Sequence, residues 1–167
     1  AAGKHLGGGF GAHHSMAHRW QKRNFVLEAG ELHYRHGWHA HATAQSIQLR
    51  GRQVVIYFYP RDETTGCTAQ ACSFRDSYEV FTDAGAEVVG VSSDSVESHQ
   101  AFAANHRLPF VLLADPDKTL RRAFGVPRTL GLLQGRVTYV SDSGGVIRHI
   151  FDSQMRVGQH VSEALEK

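Results

Sequence analysis

The chain has 167 residues, 41% of them hydrophobic, and a formal net charge of only +2. That length suits a single domain with its own core, the near-neutral charge gives no warrant for nucleic acid or an anionic membrane as main partner, and no stretch approaches the roughly 18 consecutive apolar residues of a bilayer span. Two cysteines are too few for the disulfide scaffold of a small secreted protein, and their Cys-x4-Cys spacing is neither a zinc half-site nor a Cys-x-x-Cys motif.

Residues 1–50 carry six Lys/Arg against two acids, and residues 51–167 carry twelve against fourteen, so the first segment is basic and the rest mildly acidic. Eight of the twelve histidines lie between His5 and His41, glycines cluster at positions 7, 8, 9 and 11, and no sustained period of two or 3.6 appears there. Residues 1–23 are read as a disordered or targeting-like segment, and residues 24–167 as the folded domain. One or two strands are expected within residues 24–50. A specific metal site among the histidines is disfavoured, because their spacings form no recognised ligand set and no acid or cysteine completes one.

From Gln53 the pattern sharpens. Residues 54–59 form a continuous β-branched and aromatic run that stops at Pro60, which predicts a central strand. Residues 67–84 place Ala71, Phe74, Tyr78 and Phe81 at three- and four-residue steps ahead of Gly85, which predicts one amphipathic helix with a glycine cap. Val88, Val89 and Val91 mark a second buried strand, followed by a serine-rich stretch that can cap a helix over residues 96–105. A short strand at 110–113 and a short helix at 118–124 come next. Residues 137–140 and 146–151, separated by Asp142, Ser143, Gly144 and Gly145, predict an antiparallel hairpin, and a last helix covers residues 157–165. Alternating strands and helices closed by a hairpin and a helix are the order of an α/β, thioredoxin-like fold, a central mixed sheet with helices on both faces.

Cys67 falls between the end of a strand and the first turn of a helix. Unpaired backbone N–H groups and the positive end of the helix dipole favour an anion there. An ordinary thiol, with a pKa of about 8.5, is only a few per cent thiolate at pH 7, so this position supplies a nucleophile. Thr64 can set a hydroxyl beside the sulfur, and Pro60 can end the strand and shield the thiolate; taken singly, each reads equally well as a helix cap and a strand stop. In an intact helix, Cys67 and Cys72 would have Cα atoms roughly 8.6 Å apart and face away from each other. That exceeds the roughly 7 Å reach of a disulfide, so a bond between them would require the first turns to unwind. The plainer reading of Cys72 is a buried apolar filler.

The run VIYFYPRDETTGCTAQACSFRD at residues 55–76 resembles the active-site segment of the peroxiredoxin Q family, also called bacterioferritin comigratory protein. It carries the Pro-x-x-x-Thr-x-x-Cys pattern of peroxiredoxins, with the second cysteine five residues on that marks this subgroup. The runs EVVGVSSD at 87–94 and GLLQGRVTYV at 131–140 resemble the family too, and the likeness covers residues 47–166. It implies an atypical 2-Cys cycle: Cys67 attacks hydrogen peroxide or an organic hydroperoxide and becomes a sulfenic acid, Cys72 condenses with it to an intramolecular disulfide, and a thioredoxin or similar dithiol protein reduces that bond. By the same likeness Pro60, Thr64 and Arg136 complete the peroxide pocket, no metal or organic cofactor is needed, and the protein is a monomer. Without the likeness, Arg136 reads as a surface arginine.

Thr65 stands where the family usually has proline, Gln134 where a proline often precedes the Gly-Arg pair, and the family's N-terminal Ala-Pro-x-Phe segment and hairpin align only with residues 24–27 and 46–52. The likeness leans toward plastid and cyanobacterial members, which with the basic, acid-poor start suggests a plastid; bacterial cytoplasm is the alternative. The rival reading of function is a redox-sensing or metal-binding module on the same fold, without peroxidase turnover. A copper-delivery protein of this fold would pair Cys-x3-Cys with a downstream histidine, and the spacing here is x4.

Overall fold

The computed structural model of the chain describes Leu49 and residues 51–129 and 133–166. Its centre is β1 (Gln53–Phe58), where every residue after Gln53 is buried. A strand buried on both faces needs a layer on each side. It runs parallel to β2 (Ala86–Ser92), which pairs in parallel with β3 (Val111–Ala114). On its other side β1 is antiparallel to β6 (Val137–Ser141), itself antiparallel to β7 (Ile147–Asp152), so the five-stranded order is β3-β2-β1-β6-β7. This is the mixed sheet that the sequence predicts.

Because side chains alternate along a strand, Val55, Tyr57 and Tyr59 face one core while Val54, Ile56 and Phe58 face the other. The first core is covered by Ala71 and Phe74 of α1 (Thr65–Asp76), Phe81 of α2 (Tyr78–Asp83), Phe102 of α3 (Val96–His106), and Val161 and Ala164 of α5 (Gln159–Leu165). The second is covered by Leu120 of α4 (Thr119–Ala123) and the adjoining Phe124. Phe74 stacks on Tyr57 with ring centroids 4.6 Å apart, which seats α1 directly over the central strand. Leu49 packs into the second core, and the other positions expected to form strands within residues 24–50 lie outside the described residues, as do residues 1–23.

Two local features differ from the sequence expectation. The single helix expected over 67–84 is broken at Ser77, whose φ of −102° and ψ of 4° leave the helical region. The break re-aims the chain so that Phe81 meets Phe74 and the Tyr78 hydroxyl donates to Glu87. A two-residue hairpin, β4 (Arg128–Thr129) against β5 (Leu133–Gln134), was also not foreseen; strands this short leave no periodic signal. The caps match: Gly85 takes a φ of 77° after α2, and Ser95 Oγ accepts from the Ser98 N–H at the start of α3. In the β6–β7 turn, Asp142 accepts from the N–H groups of Gly144 and Val146 at 2.9 Å each.

A buried histidine ties α5 to the sheet. His160 is fully buried, with Nδ1 2.8 Å from Thr138 Oγ1 and Nε2 2.8 Å from the Ser153 carbonyl. The carbonyl only accepts, so Nε2 carries the hydrogen and Nδ1 accepts from the threonine. Burial lowers the His160 pKa to about 4. The sign follows: above about pH 6.5 the ring is neutral in folded and unfolded chains alike, and as pH falls toward 4 only the unfolded chain gains the proton. Stability is therefore expected to decline between those values, by up to about 3 kcal/mol from this group. Urea titrations from pH 7 to 4 should show the decline, and His160→Asn should flatten it; an unchanged slope in the variant would assign the decline to other groups.

Candidate active site

The chain leaves β1 held against β2 by the Tyr59 N–H, which donates to the Val91 carbonyl at 3.1 Å. Pro60 has no N–H to continue the ladder, and the next four residues turn the backbone into α1. The turn is fixed from below by Asp62, whose carboxylate accepts from the Tyr59 hydroxyl at 2.7 Å and the Ser98 hydroxyl at 2.7 Å and lies 2.7 Å from Nδ1 of the fully buried His99. Burial pushes the Asp62 pKa up, but the hydrogen bonds from His99, Tyr59 and Ser98 outweigh it and hold the group below its ordinary value. The other His99 nitrogen faces the Leu113 carbonyl at 3.2 Å, so this cluster anchors the turn to both α3 and β3.

Glu63 sits at a φ of 58°, a left-handed conformation that disfavours a residue with a Cβ. His106 and Asn105, at the end of α3, hold its carboxylate at 2.8 and 3.0 Å. Thr64 follows as the N-cap of α1, yet its side chain makes no capping bond; its hydroxyl donates to the Arg61 carbonyl at 3.1 Å. Thr65, where the family usually has proline, is the first helical residue. That is the position where proline is favoured because its N–H is not needed, and here threonine starts the helix instead.

Cys67 is the third residue of α1 and is 2% exposed. Arg136, 69 residues further on, is also buried and places Nη2 3.3 Å from Cys67 Sγ, while its Nη1 donates to Gln70 Oε1. A cation at that distance, added to the N-terminal end of a helix, favours negative charge on the sulfur. Arg136 thus lies in the site and not on the surface. The segment that delivers it is crowded: a Cβ on Gly135 would lie 2.2 Å from the Pro127 carbonyl oxygen, so only glycine fits there.

Arg121 supports the same place. Its Nη2 donates to the Tyr59 carbonyl at 2.8 Å and its Nη1 to the Gly135 carbonyl at 2.7 Å, with its guanidinium 5.6 Å from the Phe58 ring centroid. Cys72, five residues beyond Cys67 in the same unbroken helix, is half-buried, and neither cysteine is in a disulfide. Sequence reasoning missed Gln70, Arg121, Asp62 and His99. For Gln70 a signal existed, since a residue three positions after Cys67 lies on the same helix face; the others are joined to the site by contacts across 14 to 62 residues, beyond the reach of any local pattern.

The AhpC/TSA family pattern matches residues 35–150. A structure of peroxiredoxin Q from Xanthomonas campestris, a cysteine-to-serine mutant, superposes with a TM-score of 0.70 at 31% identity, covering 76% of this chain and 87% of that one. The chain belongs to the AhpC/TSA family, in its peroxiredoxin Q group. A second Xanthomonas campestris structure, of bacterioferritin comigratory protein in a study of its alkyl peroxide reduction, aligns with a TM-score of 0.68 at 31% identity over 76% of this chain and 87% of that one. Among curated relatives, the chloroplastic peroxiredoxin Q of Sedum lineare is 53% identical over 120 residues, 71% of this chain and 64% of that protein. The chain spans less than two thirds of the length of the first of the curated relatives it matches. These likenesses establish the thioredoxin-like fold of a peroxiredoxin for this sheet and its helices.

Proposed function

We propose that the protein is a thiol peroxidase that reduces hydrogen peroxide and organic hydroperoxides through Cys67. The observation that carries this reading is the buried Arg136 guanidinium 3.3 Å from Cys67 Sγ, at the first turn of α1. The sulfur attacks one peroxide oxygen, the O–O bond breaks, and the departing oxygen leaves as water or alcohol after taking a proton. Cys67 becomes a sulfenic acid. Arg136 serves that step by favouring the attacking thiolate and by offering donors to the polarised peroxide. By the family likeness, Pro60 and Thr64, in the turn that leads into α1, complete the peroxide pocket.

Cys72 then attacks the sulfenic sulfur, water leaves, and a Cys67–Cys72 disulfide forms. Because both residues lie in one helix, α1 unwinds locally to allow it. A thioredoxin or similar dithiol protein returns two electrons and two protons by thiol–disulfide exchange. The step uses no metal or organic cofactor, and the protein works as a monomer of one domain, residues 24–167, after an N-terminal segment 1–23. The curated relatives at 50 to 53% identity are chloroplastic, and a plastid, with its dithiol reductants, is the compartment we assign.

Mixing the reduced wild-type protein with one equivalent of hydrogen peroxide tests the reading. Both thiols are expected to disappear together, with the mass falling by two hydrogens, and thioredoxin with its reductase to restore them through many cycles. Slow or partial thiol loss would instead favour a redox-inert module, and oxidation without turnover a sensor.

A further inference from the structure

Arg121 is 5% exposed and belongs to a helix that carries none of the residues of the peroxidase motif. Its two terminal nitrogens reach the carbonyl that precedes Pro60 and the carbonyl that precedes Arg136. These two backbone segments lie far apart in the chain: one leads into α1 and Cys67, and the other carries Arg136, whose Nη2 lies 3.3 Å from Cys67 Sγ. We infer that Arg121 is a positioning residue for the reaction at Cys67, a clamp that fixes the Pro60 turn relative to Arg136 and so sets the Arg136 contact with the sulfur. The inference rests on the thiol peroxidase reading given above.

The geometry suits arginine and not lysine. A guanidinium is a rigid planar fork with separate donors, so one side chain can hold two acceptors at a fixed spacing. An ammonium concentrates its donors on one flexible nitrogen and cannot impose that spacing. Arg121 is itself held: the Leu120 and Arg121 N–H groups donate to the buried Asp115 carboxylate at 3.1 and 2.9 Å, which fixes the start of α4. The Phe58 ring, in the central strand, lies beneath the guanidinium. The clamp therefore hangs from the sheet and not from a surface loop. Without it, the Gly135 carbonyl keeps no partner from α4, and Arg136 is free to withdraw from Cys67 while still bonded to Gln70.

The test uses the full chain and four proteins: wild type, Arg121→Lys, Arg136→Lys and the double variant. The readouts are the second-order rate of Cys67 oxidation by hydrogen peroxide and the pH profile of Cys67 alkylation by a neutral reagent. Arg121→Lys is expected to slow oxidation about ten- to thirtyfold, a loss typical of a weakened transition-state contact, and to move the alkylation profile to higher pH. If the clamp acts through Arg136, the double variant is no slower than Arg136→Lys alone. A rate for Arg121→Lys within threefold of wild type, an unmoved alkylation profile, or losses that multiply in the double variant would each overturn the inference. Should any variant fail to fold, a far-UV spectrum shows it, and Arg121→Gln, which keeps a donor to one carbonyl, replaces Arg121→Lys under the same criteria. Absence of fast oxidation in the wild type would overturn the peroxidase reading itself, and the clamp with it.

Discussion

Cys67→Ser is expected to lose the fast reaction with hydrogen peroxide, by a factor on the order of a thousand or more, as removal of a nucleophile does. Cys72→Ser is expected to react at close to the wild-type rate and stop at a sulfenic acid, seen as a gain of one oxygen in intact mass. The difference follows from position. Cys67 lies in the first turn of α1 beside Arg136, whereas Cys72 lies in the body of the helix and is half-buried. Among the described residues, Cys67 is the cysteine with a guanidinium nitrogen 3.3 Å from its sulfur. In the proposed cycle Cys72 enters after the O–O bond has broken, so its loss should leave the first step intact and remove the second. The packing of α1 should delay that second step: Ala71 and Phe74 are fully buried, Phe74 stacks on Tyr57, and Gln70 holds Arg136. These contacts must loosen before Cys72 reaches the sulfur, and in Cys72→Ser the sulfenic acid outlasts that opening and becomes open to further oxidation by excess peroxide. Equal, slow oxidation of both variants and the wild type would remove Cys67 from the chemistry.

The part of this architecture that the sequence states most clearly is the part built from local rules. The run at 54–59 reads as a buried strand because every residue in it is β-branched or aromatic, and β1 is buried on both faces. Gly85, Ser95 and the Asp142 turn are legible because each satisfies its own neighbours' backbone. The break at Ser77 was hidden, since Phe74, Tyr78 and Phe81 keep helical spacing across it and only the demand of the sheet, through Glu87 and the first core, bends the chain. At the site, Pro60, Thr64 and Cys67 stand close together in sequence, and the family motif draws Arg136 to them. Gln70 was within reach of a helix-face argument. Arg121 was not: the sequence shows two adjacent arginines, and nothing local tells the buried one from its exposed neighbour Arg122. Asp62 and His99 meet across 37 residues because α3 folds back over the turn, a fact of tertiary packing.

Arg136→Met is expected to slow oxidation of Cys67 by about a hundred- to a thousandfold, the range seen when one preorganised donor is removed from a buried site. Methionine fills much of the same volume, so the cavity left behind is small, and what is lost is charge and hydrogen bonding. Two consequences are separable. The sulfur loses the guanidinium 3.3 Å away, which should slow its alkylation by a neutral reagent. The departing peroxide oxygen also loses its donors, which should slow oxidation even at a pH where the sulfur is fully ionised. Arg136→Lys keeps a charge but replaces a fork that reaches Gln70 and Cys67 from separate nitrogens, so it should fall between wild type and Arg136→Met. Comparing the two variants at high pH isolates the second effect: if Arg136→Met recovers the full wild-type rate there, the guanidinium acts on the thiol alone, and if it stays slow, the guanidinium also acts on the breaking O–O bond.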